Sequence, residues 1–374
     1  MRKERIALIK KIEKLRNSKI LIYFTGDRMG AEANIGEDAI RPMYNHLLEM
    51  GKVKKIDLLV YSRGGDISVP WKMVSMIREY CEEFNILVPY KAHSATTLIA
   101  LGADKIVMGP KGELGPIDPS LNTTTGDIRK TINTEDVTAY VNFMRNKVNL
   151  TDQNSLTQMV SLLAQEVSPV ILGTIYRNYS HIRLVAKKLL ASHKEKIDES
   201  KIQTIVESLT EKMFSHGHGI NRSEAKEIGL NIEFPEEDLE DFMWKIIVDY
   251  EEEFELLSSL ESNEILGFEE EKVVEGLKLA SIESLIKCTY FEQKLHFKRL
   301  RQIPESPQIN VNLNLSLPDG IEIEEVPEES KIQIQNMLQE GNEILKSKVL
   351  EELITQSPQI DIQVISLGGK WNDQ

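Results

Sequence analysis

The chain has 374 residues, 41% hydrophobic and 28% charged, which is long and apolar enough for one large domain, with a substantial core, and a smaller one beside it. A formal net charge of −14 excludes a nucleic-acid backbone or an anionic membrane surface as the main partner. The only two cysteines, Cys81 and Cys288, lie far apart on segments with helical patterning, which points to reduced thiols and a cytoplasmic protein rather than a disulfide framework.

Residues 1–16 carry apolar side chains at helical spacing among basic ones, with Glu4 and Glu13 interrupting the basic face, and read as a surface helix. No run approaches the roughly 20 apolar residues of a membrane span. Residues 19–24 form a buried strand, and a helix follows from about 38 to 50 with Ile40, Met43, Leu47 and Leu48 on one side. Residues 56–61 form a second strand that ends in Ser62-Arg63-Gly64-Gly65-Asp66. Trp71, Val74, Ile77, Cys81 and Phe84 mark one helix face at spacings of three and four. A short strand at 86–90 feeds a polar corner, an apolar helix starts after Ser94, and residues 105–108 return as a strand. Strand and helix alternating at this pitch predict a parallel sheet with crossover helices.

Residues 109–119 are dense in glycine and proline and form turns able to pass close to a site, and 121–134 reads as a polar, mobile loop. Helical patterning runs from 135 to about 209, with a fresh start at Ser168-Pro169 and a break over 191–198. Asn221 is positioned as the N-cap of a short helix that Gly229 stops, with Glu224 at its third position. The acidic run 236–255 reads as a solvated helical face. Residues 265–300 are expected to form one long helix or two. The alternating segments 306–317 and 357–364, separated by a helix over 330–354, are expected to form a small C-terminal sheet. The expected organisation is an N-terminal helix (1–16), a catalytic α/β domain (17–255) and a small α+β association domain (256–374).

The chemistry gathers at Ser94, which stands where a strand meets the start of a helix. A serine there serves as an N-cap, or as a nucleophile beside backbone N–H groups that stabilise an oxyanion. Gly64-Gly65 follows a buried strand directly, and its glycines allow a tight turn that aims an N–H outward and leaves room for a carbonyl. In parallel sheets, sites form at the carboxyl ends of neighbouring strands, so both turns face one crevice. Gly64, Gly65 and Ala95 are then the oxyanion-hole candidates.

Ser-x-Gly-Gly at 62–65, Ser-Ala-x-Thr-x-Ile-Ala-Leu-Gly-Ala-Asp-Lys-Ile-x-Met from Ser94 and Leu-Gly-Pro-Ile-Asp-Pro at 114–119 together resemble the Clp/crotonase-fold serine peptidases. Within them the pattern is most similar to the signal-peptide-peptidase-A-like and serine dehydrogenase proteinase group, and residues 216–230 resemble the closing segment of that fold. The resemblance covers about 17–232. It implies a ββα-repeat core, a ring-like or stacked homo-oligomer, and peptide-bond hydrolysis through an acyl-enzyme on Ser94. Where dyad members carry a lysine, this chain has Thr134 or Glu135, with Lys130 the nearest alternative base. Where the Clp-type histidine falls stands Asp118, and where its aspartate falls stands His216-Gly217-His218. The implied triad is therefore Ser94 as nucleophile, His216 or His218 as general base, and Asp118 as the carboxylate that orients it. His93 is expected to be a wall residue and His181 a structural one.

The expected function is an ATP-independent serine endopeptidase acting on peptides or unfolded segments, since no nucleotide-binding Gly-x-x-x-x-Gly-Lys motif occurs. No metal or other cofactor is called for. The partners expected are the substrate and further copies of the chain, joined through the core and the C-terminal domain. Two other readings stand beside it: a latent or inactive scaffold that binds a protein partner, and an acyl-CoA hydratase or hydrolase built on the crotonase fold.

Overall fold

A computed structural model describes residues 2–117, 120–125, 128–211, 217–302, 309 and 326–374, and for 120–125, 128–135 and 211 it describes the backbone. In chain order the elements begin with α1 (Arg2–Arg16), β1 (Lys19–Thr25), β2 (Asp27–Arg28), β3 (Ala31–Glu32), α2 (Ile40–Met50), β4 (Val53–Tyr61), α3 (Val69–Arg78), β5 (Cys81–Val88), β6 (Lys91–Ala92), α4 (Ala95–Leu101), β7 (Lys105–Met108) and β8 (Glu113–Leu114). They continue with β9 (Ser120–Thr125), β10 (Ile128–Asn133), α5 (Thr134–Asn142), α6 (Gln153–Glu166), α7 (Pro169–Ala191), α8 (Glu199–Glu211), β11 (Ile220–Asn221), α9 (Arg222–Ile228), β12 (Ile232–Glu233) and α10 (Glu237–Glu253). The last are α11 (Ser262–Leu266), β13 (Glu271–Ser284), β14 (Cys288–Arg301), α12 (Glu328–Gln356) and β15 (Gln359–Asp373).

The main sheet has the order β12-β7-β5-β4-β1-β13-β14-β15. Its first five strands are parallel, with Ile22 level with Leu59, Leu58 with Ile86 and Leu87 with Val107. β13 then runs antiparallel to β1, Leu21 opposite Ser284. The central strands are nearly continuous apolar runs because both faces are covered. Leu21, Tyr23, Leu58, Val60, Ile86 and Val88 meet α2, α3, α4, α7 and α8 on one face. Ile20, Ile22, Phe24, Leu59, Tyr61 and Leu87 meet α1 and α10 on the other. Each large apolar side chain so enclosed contributes about 1.5–3 kcal/mol. By contacts the chain forms two units: residues 1–260 with 278–292 and 370–374, and residues 261–277 with 293–369.

Several expectations hold at the level of single caps. Asn221 accepts from the Ser223 and Glu224 N–H groups, Gly229 ends that helix in the left-handed conformation, and Ser168 Oγ accepts from the Ile171 N–H. Others are corrected. The helix expected to reach Phe84 stops at Arg78, and Cys81 and Phe84 lie on β5; Cys288 likewise lies on β14. Residues 271–301, expected to be helical, are two long strands. The expected loop after residue 120 is an antiparallel hairpin, Thr125 opposite Ile128. Residues 359–373 join the main sheet next to β14, and the expected strand 306–317 lies outside the described residues apart from 309. The acidic helix α10 is not wholly solvated: Asp249 and Glu253 turn inward to the fully buried Arg5 of α1.

Candidate active site

The site is built where β4 and β5 end. Ser62, the first residue after β4, bridges in parallel to Ala92: its N–H donates to the Lys91 carbonyl at 2.9 Å, and its carbonyl accepts from the His93 N–H at 3.1 Å. The chain leaving β4 is thereby held against the two residues that lead into Ser94. Ser94 itself has φ of +51° and ψ of −115°, and its side chain makes no capping bond. A non-glycine residue in that region costs about 1–3 kcal/mol. A strained serine between a strand and a helix is the geometry that presents a nucleophile at a sharp turn. The side-chain capping expected of a serine at this position is therefore not made.

Gly64 lies directly behind the serine. A Cβ at residue 64 would stand 2.8 Å from the Ser94 Cβ, 2.8 Å from the His93 carbonyl oxygen and 3.2 Å from the Ala95 nitrogen. At Gly65 a Cβ would overlap the backbone of Ile35, which bridges in parallel to it. Backbone polar groups in such a turn must each find a partner or be left for a ligand. The Gly64 N–H donates to Ser62 Oγ at 3.0 Å, the Gly64 carbonyl accepts from the Ile35 N–H at 2.7 Å, and the Asp66 N–H donates to the Ile35 carbonyl at 2.8 Å. The Gly65 N–H finds no acceptor among the described residues, and neither does the Ala95 N–H. Gly64 therefore supplies space rather than a free donor, while the Gly65 and Ala95 N–H groups are open, as are those of Arg63 and Ser94 among the described residues.

A second, three-stranded sheet, β11-β8-β6, gathers the other segments singled out in the sequence. Lys91 and Ala92 run parallel to Glu113 and Leu114, and Ile220 and Asn221 run antiparallel to Leu114 and Glu113. Ala92, Leu114 and Ile220 are thereby level across the three strands. Thr97 Oγ1 fastens this arrangement, lying 2.7 Å from the Ala92 carbonyl and accepting from the Gly115 N–H at 3.0 Å.

The candidate bases are distributed unevenly. His218 is on the surface with Nε2 2.9 Å from Glu224 Oε1. Asp118 and His216 lie outside the described residues, as do the side chains of Lys130, Thr134 and Glu135, whose backbones belong to β10 and α5. His93 places Nε2 3.1 Å from Glu113 Oε1; burial pushes its imidazole below the ordinary value, against the pull of that carboxylate. His181 is exposed on α7. Around the mouth, Asp27 accepts from Tyr61 at 2.7 Å, Arg63 at 2.8 Å and Lys91 at 2.7 Å. Burial pushes the Asp27 carboxyl up, but these three donors outweigh it and hold the group below the usual carboxylate range. No three histidine, cysteine or carboxylate side chains among the described residues come together as a metal site.

Sequence reasoning missed Ser62, Thr25 and Thr97. Thr25 Oγ1 donates to Ser62 Oγ at 2.7 Å, and both residues are 1% exposed. The available signal was the spacing of Ser62 and Gly64, a hydroxyl two residues before a turn glycine, which bonds the backbone N–H two positions on.

Residues 33–146 match the model of a family described as ClpP-like SDH-type serine proteinases. Two uncharacterised proteins of Methanocaldococcus jannaschii are related. One is 29% identical over 50% of this chain and 57% of its own length, the other 21% identical over 47% and 51%. The chain thus spans about half the length of the curated relatives it matches. Among solved structures, a mutant of the 1510-N membrane-bound stomatin-specific protease aligns with 59% of this chain and 84% of its own, at 16% identity and a TM-score of 0.34. ClpP1 from Listeria monocytogenes aligns with 61% of this chain and 98% of its own, at 13% identity and a TM-score of 0.32.

Proposed function

We propose that this chain, a ClpP-like SDH-type serine proteinase over residues 33–146, hydrolyses peptide bonds through an acyl-enzyme on Ser94, without ATP. The observation that carries the reading is a strained serine beside open turn amides: among the described residues the N–H groups of Gly65 and Ala95, like those of Arg63 and Ser94, find no acceptor. In the proposed reaction Ser94 Oγ attacks the scissile carbonyl carbon and its proton passes to a histidine of the 216–218 segment, which Asp118 orients. The carbonyl oxygen takes the negative charge and accepts from the Gly65 and Ala95 N–H groups. The imidazolium then gives its proton to the leaving amine, and water, deprotonated by the same base, releases the acyl group.

The scaffold reading has one observation in its favour, the engagement of His218 by Glu224 on the surface. Intact mass after incubation with a fluorophosphonate separates the two. The peptidase reading expects a single adduct on the wild-type chain and none on Ser94→Ala. A folded wild-type chain that takes up no adduct favours the scaffold.

A further inference from the structure

We propose that the main chain of Ile35 is the positioning element of the oxyanion hole, its N–H holding the Gly64–Gly65 peptide in the one orientation that offers the Gly65 N–H to substrate; this rests on the peptidase reading of Ser94. Ile35 bridges in parallel to Gly65. Its N–H donates to the Gly64 carbonyl at 2.7 Å, and its own carbonyl accepts from the Asp66 N–H at 2.8 Å. A trans peptide is planar, so its C=O and N–H point in opposite directions. With the Gly64 carbonyl drawn onto Ile35, the Gly65 N–H faces away from residue 35, where no described residue accepts it.

Among the described residues no other bond acts on that peptide. The Gly64 N–H bond to Ser62 Oγ acts on the peptide before it, and the Asp66 N–H bond on the peptide after it. The two torsions that turn the peptide over, ψ of Gly64 and φ of Gly65, both belong to glycines, at φ of +108° and +151°, so no side chain resists the turn. Ile35 itself is firmly placed: its side chain is 1% exposed in the core, and two residues earlier the Ala33 N–H donates to the Gly26 carbonyl at 2.8 Å. Without the Ile35 N–H, the carbonyl of the buried Gly64 loses its partner and regains one by turning out to the water of the crevice. The same rotation turns the Gly65 N–H inward and puts a carbonyl oxygen where the oxyanion develops. Loss of a preorganised donor lowers the rate of the chemical step rather than the affinity.

The test uses the full chain with Ile35 exchanged for its α-hydroxy acid, which puts an ester oxygen in place of the N–H and keeps the side chain. Fluorophosphonate adduct formation on Ser94 is followed against probe concentration, which separates the limiting rate of modification from the half-saturating concentration. The same exchange at Asn34, whose N–H finds no acceptor among the described residues, is the control. The exchange at 35 is expected to lower the limiting rate about tenfold or more with half-saturation unchanged, since a single oxyanion donor is worth about 100-fold or more. The exchange at 34 is expected to react as the wild-type chain does. A folded chain exchanged at 35 that reacts at the wild-type rate, or an equal loss from the exchange at 34, overturns the proposal while leaving the peptidase reading intact. If the exchange at 35 fails to fold, Ile35→Pro, which removes the same N–H, is compared with Ile35→Val, which keeps it, and equal limiting rates overturn the proposal in the same way. An unreactive wild-type chain removes both.

Discussion

The Cβ that an alanine brings to position 64 meets Ser94 Cβ and the His93 carbonyl oxygen at 2.8 Å, and Gly64 already sits at a φ that side chains rarely adopt. Gly51 isolates the second effect from the first: its φ is +68°, yet nothing lies within 4 Å of its missing side chain. Gly51→Ala is therefore expected to cost only the backbone strain, about 1–3 kcal/mol. Gly64→Ala adds displacement of the serine, so it is expected to melt at a lower temperature than Gly51→Ala and to lose fluorophosphonate labelling, which Gly51→Ala keeps. Gly64, Gly65 and Ser94 were legible in the sequence because turn chemistry is local: paired glycines after an apolar run, and a small polar residue before an apolar helix. The hydroxyl pair behind them was not, because Thr25 and Ser62 meet only once β1 and β4 are paired. Nor is the base settled by sequence, since a histidine's role depends on which distant carboxylate it finds. His93 found Glu113, and His218 found Glu224.

Strands enclosed on both faces were legible where turn residues bound a short apolar run, as in β1 and β4, and obscured where a helical spacing ran on into them. Trp71, Val74, Ile77, Cys81 and Phe84 fit a helical spacing, but the last two belong to a strand whose interior is enclosed on both sides and so has no alternation to announce it. The same ambiguity hid β13, where all residues from Leu279 to Ser284 are buried, polar ones included. Those polar residues face partners on helices. Glu283 accepts from Arg5 at 2.7 Å and from Tyr250 at 2.7 Å, fixing α1 and α10 over the sheet. On the opposite side His46 of α2 lies between Ser284 Oγ at 3.1 Å and Thr289 Oγ1 at 3.0 Å. Burial, helped by Lys287 and opposed by Asp373, pushes the His46 imidazole down to about 4. The unfolded chain therefore binds a proton at this residue near its ordinary value of about 6.5 while the folded chain does not, and stability falls as pH drops from about 6.5 towards 4. Carboxylates act mainly below that window, whereas His93 and His193, also pushed down by burial, share it. Denaturant titrations at pH 7 and pH 5 are expected to show a smaller loss of stability on acidification for His46→Gln than for the wild-type chain.

The chain returns to its first unit twice, through residues 278–292 and 370–374. Those returns supply the antiparallel neighbour of β1, the Glu283 and Tyr290 that face Arg5, and the Ser284 and Thr289 that face His46. A chain ended at Leu260 leaves Arg5 with Asp249 and Glu253 but without Glu283 and Tyr290, leaves His46 without Ser284 and Thr289, and bares an edge of the sheet; removing one partner of a buried charge costs about 3–5 kcal/mol. Such a truncation is expected to lose its cooperative thermal transition by circular dichroism, although every residue of the Ser94 site is retained. Fold class was readable because the alternation of strands and helices over residues 19–108 is short-range and regular. The long return was not, since nothing local in residues 278–292 says that their partner lies some 250 positions earlier. Residues 64 and 94 occupy a single space, so their substitutions are not independent. With Ser94 replaced by glycine, the strain at 94 and the Ser94 Cβ contact at 64 disappear together, while the His93 carbonyl oxygen at 2.8 Å and the φ of +108° still bar a side chain at 64. A lineage that no longer depends on the serine gains stability by giving it up and is free to drift at 94, while 64 stays glycine. The strained serine, unlike the glycine behind it, persists only under selection for what that serine does.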